Sequence, residues 1–427
     1  MSKLALLGGS PTVEGEFKLF KSVGQEERDA VCEVIDSGLL SGFYGSWCDE
    51  FWGGPKIRKL EELWAETFGC KHAVSINSNT SGLISCMGAI GVSAGDEVIV
   101  PPYTMSATVV APLYYGGVPV FADIDENDFC IDPAHVEQLI TNKTKAIIAV
   151  NLFGQPAKLK KLRALADRHN IYLIEDNAQA PTASEYGKFT GTIGHVGVFS
   201  LNCHKHIQTG EGGICTTDDD DLALRLQMIR NHGENVVRDT KVEDLTNLVG
   251  QNYRMTELSA AVGIEQLKKA DQLISPRVEL AEYLNQNLSG LDGLITPPTR
   301  DGCRHVYYVW AMRVDQEQLG ISRDTFVKAL AAEGVFLSKG YLEPLYKLPV
   351  FQERKAFGRD AYPFSITDRH YEDVGCPVVE RLQNEEVVTF EICAYAYSDT
   401  QKAQIIEAVH KVHSQRHELQ GMDETSS

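Results

Sequence analysis

The sequence predicts an α/β fold, in which a large domain with a mostly parallel sheet between helices precedes a smaller C-terminal α+β domain. Short β-branched runs alternate with helical stretches through the first half of the chain, at 72–77, 96–100, 145–150, 171–175 and 195–201. The second half mixes strands and helices less regularly. Strand–helix–strand alternation is typical of parallel sheets whose connecting helices cover both faces.

The helices of the first half show apolar residues at helical spacing over 27–38, 55–68 and 80–90. Pro55 follows Gly53 and Gly54, where the first turn of a helix tolerates proline. A further helical stretch, 156–169, lies between two of the strands. The stretches 80–90 and 156–169 lie between predicted strands, where a parallel sheet requires connecting helices.

The second half has helical stretches near 256–270, 276–290, 323–333 and 400–413, and a strand-like run at 305–314. We expect an N-terminal arm at 1–25, the large domain at 26–272 and the small domain at 273–415. The polar residues 416–427 are expected to form a flexible tail.

Composition excludes several classes of protein. The formal net charge of -19 argues against a nucleic-acid or anionic-membrane partner, since both need clustered Lys and Arg. The 10 cysteines form no C-x-x-C pair, so neither a disulfide scaffold nor a zinc site is expected, and we predict no metal. No signal peptide or long apolar run is evident, and we expect a cytoplasmic protein.

Open parallel sheets place their chemistry in the loops after the carboxyl ends of strands. The run at 171–175 ends in Glu175 and Asp176, and a buried carboxylate needs a cationic or hydrogen-bonding partner. Asp176 is therefore a candidate site residue. On this segment alone, a simple helix N-cap explains Asp176 equally well.

A second candidate segment is 199–213, where Ser200 ends a strand, Asn202 follows and Lys205 lies in the loop. The Ser200 hydroxyl suits a phosphate, and a desolvated lysine at a strand end can bond covalently to a carbonyl. Gly210, Gly212 and Gly213 would let the backbone approach a ligand closely. Taken alone, Lys205 is better explained as a solvated surface lysine.

A third segment, 77–83, is a polar turn between a strand and a helix. Backbone N–H groups at a helix N-terminus, with the Thr80 and Ser81 hydroxyls, favour an anion site, although an ordinary N-cap explains the pattern too. An anion cradle, an acid and a lysine at neighbouring strand ends are together what a pyridoxal 5′-phosphate (PLP) site needs. The acid keeps the pyridine ring cationic, so that the ring accepts electrons.

The chain resembles the DegT/DnrJ/EryC1/StrS family of PLP-dependent sugar and cyclitol aminotransferases, which have the fold type I architecture. The resemblance extends from about residue 20 to 412. It is carried by the segments GGPKIRKLEELWAETFGCKHAVSINSNTSGL, VPPYTMSAT, GVPVFADID, GQPAKL, EDNAQA, FSLNCHKHIQTGEGG, GQNYRMTELSAAVGIEQL and CPVVERL.

The resemblance implies roles for matching positions. Lys205 would carry the cofactor and then act as the acid and base that moves a proton, while Asp176 would pair with the pyridinium nitrogen. Gln179 would contact the phenolic oxygen of the cofactor. The remaining implied cofactor-binding residues are Asn79, Thr80, Ser81, Ser200 and Asn202, together with Asn252, which would reach the phosphate in the partner subunit and so implies a homodimer with shared active sites.

Two positions depart from the family pattern. Met105 stands where many members stack an aromatic ring on the pyridine, and a thioether can cover a ring face with less directed stacking. Tyr103 could turn in instead. Asn151 replaces a common histidine before the L-[YF]-G segment, which affects only a contact behind the site.

The resemblance implies a ping-pong transaminase. Glutamate or glutamine would convert the cofactor to pyridoxamine 5′-phosphate, and a keto-sugar or keto-cyclitol, nucleotide-linked or scyllo-inosose-like, would then take the amine. The loop 41–54, rich in glycine and aromatic residues, would either face the substrate or pack in a dimer interface.

Three alternatives stay open: a PLP-dependent deoxysugar dehydratase, an aminohydroxybenzoate-synthase-like enzyme and a regulator that binds PLP without turnover. Related dehydratases carry His where the lysine stands. Here Lys205 lies five residues after Ser200 and six before Glu211, the register of the aminotransferases, and this favours an aminotransferase.

Overall fold

The computed structural model describes residues 2–422, and a seven-stranded sheet forms its centre. We number the strands of this sheet in chain order: β1 His72–Ile76, β2 Glu97–Val100, β3 Val118–Phe121, β4 Thr144–Val150, β5 Tyr172–Asp176, β6 Val196–Ser200 and β7 Gly213–Thr217. Their spatial order is β1-β7-β6-β5-β4-β2-β3. The pairs from β6 to β3 are parallel, whereas β7 runs antiparallel to both β1 and β6. The predicted α/β fold with a mostly parallel sheet is confirmed.

Helices flank this sheet and continue into the second half of the chain. The longer ones are α1 Gln25–Ser37, α2 Pro55–Phe68, α3 Asn79–Ala89, α4 Leu159–His169, α5 Asp220–Arg230, α6 Glu257–Lys268, α7 Ala270–Leu288, α8 Arg323–Ala332 and α9 Asp399–Ser414. Shorter helices are Ala107–Val110, Pro133–Leu139, Gln316–Leu319, Pro349–Gln352 and Pro377–Arg381. Helices α5 and Pro133–Leu139 were not anticipated from the sequence.

Helix α2 shows how local sequence sets its bounds. Pro55 occupies the first turn, where its missing N–H costs nothing, and Gly69 ends the helix with φ 67°, a conformation that favours glycine. Its buried residues Ile57, Leu60, Trp64 and Phe68 recur at helical spacing. Trp64 and Phe68 stack against each other and pack on Phe199 of β6, so this apolar face anchors α2 on the sheet.

The central strands are buried on both faces. Successive side chains of a strand point to opposite faces, and in β6 Val198 joins one apolar cluster while Phe199 joins another. Such strands are continuous apolar runs in the sequence, which is why five of the seven strands were predicted at nearly their observed positions. Strands β3 and β7 were not predicted.

The smaller sheet is antiparallel and follows the large one in the chain. Its strands are β8 Leu294–Ile295, β9 Trp310–Val314, β10 Ser338–Lys339 and β11 Val387–Phe390, in the spatial order β8-β9-β11-β10. The strand predicted from 305 begins only at Trp310, because Tyr307 adopts φ 48° and leaves the extended region. Short strand pairs also join Lys18–Leu19 to Tyr395–Ala396, and Ser184–Glu185 to Lys188–Phe189 and Cys303–Arg304.

Helix α7 runs through the predicted boundary at 272/273. It begins at Ala270 rather than 276, with Pro276 inside it, and packs Leu280 and Leu284 into the core of the small sheet. The N-terminal arm also joins that core through Leu4 and Val13.

The C-terminal tail is ordered further than expected. Residues Arg416–Leu419 form a 3₁₀ turn whose Leu419 is buried, so the flexible tail predicted from 416 is wrong for this stretch. The last part of that predicted tail, 423–427, lies outside the described residues. Within 2–422 no helix is long and apolar enough to cross a membrane, and all ten cysteines are free.

Candidate active site

The carboxyl ends of β5 and β6 and the N-terminus of α3 surround a cavity of about 350 Å³, here named the Asp176 cavity. Because β5 and β6 are parallel neighbours, Asp176 at the end of one and Ser200 at the end of the other reach the same edge of the sheet. The predicted site residues that line this cavity are Asn79, Thr80, Met105, Asp176, Gln179, Ser200, Asn202 and Lys205.

Asp176 is a buried carboxylate held by neutral donors. Its Oδ2 accepts a 2.7 Å hydrogen bond from the Thr108 hydroxyl, and its Oδ1 accepts from Asn79 Nδ2 at 3.3 Å and from the Ala178 N–H at 3.2 Å. No residue within 2–422 forms an ion pair with it at salt-bridge distance. Burial raises the pKa of Asp176, and the Thr108, Ala178, Lys205 and Asn79 interactions oppose that rise. The carboxylate is therefore ready to pair with a cation that enters the cavity.

Lys205 lies in the turn after β6, where its N–H donates to the Asn202 carbonyl at 2.9 Å. Its Nζ lies 4.3 Å from the centroid of the Tyr308 ring. Burial lowers the pKa of Lys205, and attraction to Asp176 partly opposes this. A lowered pKa raises the fraction of neutral amine, the form that attacks a carbonyl carbon.

The N-terminus of α3 forms one wall of the Asp176 cavity and could bind an anion. Ser78, Asn79 and Thr80 line the cavity together with Ser200, the last residue of β6. Ser81 instead takes part in the helix cap: Ser78 is the N-cap, its hydroxyl accepts the Ser81 N–H at 3.0 Å, and the two hydroxyls lie 2.9 Å apart. The capping interpretation of this segment thus describes Ser78 and Ser81, whereas Thr80 faces the cavity.

Gly212 and Gly213, which follow Lys205, serve packing between protein segments. A Cβ on Gly213 would lie 2.8 Å from the Asn79 nitrogen, so only glycine lets β7 start this close to the N-terminus of α3. A Cβ on Gly212 would meet the Thr209 hydroxyl at 2.5 Å. A Cβ on Gly210, whose φ is 81°, would meet nothing within 4 Å, so the close approach of a ligand to this turn stays a prediction.

Gln179 joins the large domain to the small one. Its Oε1 accepts from the Phe153 N–H at 2.7 Å, and its Nε2 donates to the Tyr341 hydroxyl at 3.0 Å. Tyr341 follows β10 of the small sheet and lines the Asp176 cavity. The amide of Gln179 is thus held in one orientation beside that cavity.

Met105 and Tyr103, the two candidates for the residue that covers the pyridine ring, lie in different environments. Met105 lines the cavity and is 60% exposed. Tyr103 is fully buried beside Phe153 and Tyr341, and its hydroxyl donates to Gln383 at 2.8 Å. This corrects the alternative in which Tyr103 turns toward the cofactor, since a buried and hydrogen-bonded tyrosine is not available to cover a ring in the cavity.

Asn252 lies apart from the Asp176 cavity of its own chain. It is exposed, forms an isolated bridge with Asn231, and its Oδ1 accepts from Arg254 Nε at 2.8 Å. Glu257, in the same segment, accepts the N–H groups of Lys56 and Ile57 at the start of α2. The role of Asn252 in the active site of another subunit stays a prediction.

Among the residues that line the cavity or touch Asp176, sequence reasoning gave no role at the site to Thr108, Glu211, Tyr308 and Tyr341. Thr108 lies in the segment VPPYTMSAT, in which only Tyr103 and Met105 were predicted as site residues. Tyr308 was assigned to the interior of a strand. No local signal marks Tyr341, because its place beside Gln179 depends on how the two sheets pack.

The residues present fit PLP. The group carries a phosphate, a ring nitrogen that binds a proton, and a carbonyl carbon that an amine attacks. The cavity offers an anion-binding helix N-terminus with hydroxyls, a buried carboxylate without a cationic partner within 2–422, and an amine with a lowered pKa. The cavity therefore offers one suitable group for each of these three parts of PLP.

The model of the DegT/DnrJ/EryC1/StrS aminotransferase family matches residues 26–391. The chain belongs to this family. It is accordingly a PLP-dependent aminotransferase of the sugar aminotransferase family.

Known members of the family are similar over most of this chain. A GDP-perosamine synthase of Caulobacter vibrioides is 36% identical over 76% of the chain and 84% of its own length. A protein of Streptoalloteichus tenebrarius, provisionally named an L-glutamine:3-amino-2,3-dideoxy-scyllo-inosose aminotransferase, is 34% identical over 96% of the chain and 98% of its own length. The structure of an aminotransferase from Psychrobacter cryohalolentis superposes with a TM-score of 0.80 at 28% identity, covering 94% of this chain and all of that one.

Proposed function

We propose that this enzyme transfers the amino group of glutamine or glutamate to the ketone carbon of a keto-cyclitol or keto-sugar. The observation that carries the proposal is the joint placement of Lys205 and the buried Asp176 on one cavity beside an anion-binding helix terminus. PLP bound there supplies an electron-withdrawing ring that stabilises negative charge on the carbon next to the amino nitrogen.

In this proposal Lys205 has two tasks. Its Nζ would hold the cofactor covalently in the resting enzyme. Its free amine would also accept and return the proton that moves during amino transfer, which requires a group that gains and loses protons near neutral pH. Burial lowers the pKa of Lys205 toward that range. The Tyr308 ring against Nζ keeps bulk water from that side of the amine.

The other residues bind and orient. The Asp176 carboxylate would pair with the protonated ring nitrogen, and Thr108 and Asn79 hold its two oxygens. Gln179 Nε2, which donates to Tyr341, would also contact the phenolic oxygen. Thr80, Ser200, Asn202 and the start of α3 would bind the phosphate. Met105 would cover one face of the ring.

A keto-cyclitol is our preferred acceptor, with glutamine as donor. The similarity to the 3-amino-2,3-dideoxy-scyllo-inosose aminotransferase extends over 96% of the chain, whereas that to the perosamine synthase covers 76%. A nucleotide-linked keto-sugar is the second candidate, supported by the higher identity of 36%.

We further propose a homodimer in which Asn252 of each chain reaches the phosphate bound by its partner. The exposed apolar side chains Tyr44, Trp47 and Val249 lie in the loops near Asn252, and a second copy would cover them. Nδ2 of Asn231, the bridge partner of Asn252, donates to the Tyr44 carbonyl at 2.8 Å, which ties the loop 41–54 to this surface.

The test follows the absorption of the bound cofactor through each half of the reaction. Glutamine or glutamate should remove the visible band of the resting enzyme, and scyllo-inosose or a nucleotide-linked keto-sugar should restore it. A band that persists with both donors would contradict the proposal. Water loss from the sugar without amine incorporation would favour the dehydratase, and intact cellular function of Lys205→Ala would favour the regulator.

A further inference from the structure

A second cavity, of about 680 Å³, shares Lys205 and Tyr308 with the Asp176 cavity. We name it the Arg277 cavity, because Arg277 of helix α7 forms part of its wall together with Phe20 and Cys393. Its size is that of a ligand site. A molecule bound in this cavity would reach the amine of Lys205. The polar groups that line the cavity are therefore candidates to bind the substrate that reacts with this amine.

Arg277 is a buried cation without an anionic partner. Its side chain is 5% exposed, and within 2–422 it forms no ion pair with any carboxylate. Burying an unpaired charge is costly, so a buried guanidinium is expected to have an anion nearby. The neutral contacts of Arg277 meet that need only in part.

Those contacts hold the guanidinium in place. Nη1 donates to the Leu273 carbonyl, Nη2 donates to the Cys393 carbonyl at 3.2 Å, and the group lies 4.2 Å from the centroid of the Phe20 ring. Nε is buried and has no hydrogen-bond partner among residues 2–422. A guanidinium carries five N–H donors, so several remain for a ligand.

We propose that Arg277 binds a carboxylate of the amino donor in the Arg277 cavity while the donor amino group faces Lys205. The inference rests on the proposed function and adds to it a site for the donor. A planar guanidinium accepts a carboxylate through two parallel hydrogen bonds, which fixes both position and orientation. A keto-cyclitol has no carboxylate, so Arg277 would bind the amino donor and not the acceptor. Its loss should therefore affect only the donor half of the reaction.

The test compares the two half-reactions in Arg277→Gln, which keeps hydrogen-bond donors and removes the charge. We expect the concentration of glutamine that half-saturates the donor half-reaction to rise roughly 10- to 100-fold, the loss typical of a charge-assisted hydrogen bond. The rate of the acceptor half-reaction, started from enzyme loaded with pyridoxamine 5′-phosphate, should stay within about twofold of wild type. The half-saturating glutamine concentration of Arg277→Lys should lie between those of wild type and Arg277→Gln.

Binding of glutarate, followed by calorimetry on the holoenzyme, gives a readout without turnover. Wild type and Lys21→Gln, which removes an exposed cation from the same wall, should bind it alike, and Arg277→Gln should bind it more weakly. Equal loss in Lys21→Gln, equal slowing of both half-reactions, or an unchanged glutamine dependence in Arg277→Gln would each overturn the assignment. Absence of a donor half-reaction in wild type would instead contradict the proposed function itself.

Discussion

The Thr108 hydroxyl donates a 2.7 Å hydrogen bond to Oδ2 of Asp176, and both residues are buried. Burial raises the pKa of Asp176, and this hydrogen bond opposes the rise. The hydroxyl therefore favours the ionised carboxylate, the form that pairs with a cationic ring nitrogen. This relationship links a residue outside the cavity lining to the electronic state of the cofactor.

Thr108→Val should lower kcat/KM roughly 10- to 100-fold, because a hydrogen bond to a charged group is lost. The pKa of Asp176 should rise further, so the acidic limb of the pH–rate profile should move to higher pH. Thr108→Ser keeps the hydroxyl and should stay near wild type. A profile that keeps its position in the valine variant would show that the hydroxyl does not support the carboxylate.

Asp176→Asn should stabilise the cofactor-free protein while lowering its activity by about 10²–10³-fold. A carboxyl group whose pKa is raised on folding stabilises the folded state at low pH, and that contribution is lost as pH rises through the folded value. The free energy of unfolding of Asp176→Asn should therefore exceed that of wild type by about 1 kcal/mol near pH 8, with a smaller gap near pH 5. Urea unfolding of both apo proteins measures it, and a gap that widens toward low pH would contradict the raised pKa.

Much of this site could be predicted because its central residues are recognisable from short stretches of sequence. Asp176 and Ser200 end buried strands, and Thr80 begins a helix, so pattern alone places them at one sheet edge. Lys205 required the resemblance, since a single lysine in a loop carries little information. The antiparallel strand β7 was missed because its glycine-rich start, required by contact with α3, suggested a turn.

The remaining site residues depend on packing between distant segments. Tyr341 meets Gln179 across 162 positions of sequence, and Tyr103 meets Gln383 across 280. Nothing in the neighbourhood of Tyr103 shows that a glutamine will satisfy its hydroxyl, so turning it toward the cofactor was a reasonable but incorrect alternative. Arg277 could not be singled out from the sequence either. What distinguishes it is burial without a carboxylate partner within 2–422, and only the structure shows this.

The proposed homodimer with shared active sites predicts complementation between two defective chains. Lys205→Ala removes the cofactor-carrying amine, and Asn252→Asp places a negative charge where the partner's phosphate is expected. Random mixing of the two should restore about a quarter of wild-type activity, since half of the dimers then contain one intact site. Activity should follow subunit exchange over time. Mixtures that stay as inactive as their components would contradict the role of Asn252 across the interface.

The N-terminal arm is held by a buried ion pair of the small domain. Glu333 lies 2.9 Å from Lys411 Nζ and accepts hydrogen bonds from the Ala5 N–H, the Thr12 N–H and the Thr12 hydroxyl. Burial would raise the pKa of Glu333, but these hydrogen bonds and Lys411 outweigh it and lower the pKa. The pair thus contributes stability above the ordinary glutamate range, and that contribution is lost as pH falls through the lowered value.

Glu333→Gln should lower the free energy of unfolding by about 3–5 kcal/mol near neutral pH, because Lys411 is left as an uncompensated buried charge. Urea unfolding followed by circular dichroism measures this loss. The double variant Glu333→Gln with Lys411→Met should recover part of it. Equal stability of wild type and Glu333→Gln would show that the pair adds nothing to the fold.

The most direct test of the central claim is borohydride reduction followed by peptide mass mapping, before and after addition of glutamine. Reduction of the resting holoenzyme should fix the cofactor on Lys205, and prior treatment with glutamine should leave Lys205 unmodified because the cofactor then carries the amino group free of the protein. Cofactor fixed on a different lysine, or on Lys205 equally with and without every tested amino donor, would contradict the assignment of Lys205 as the carrier in an amino-transfer reaction.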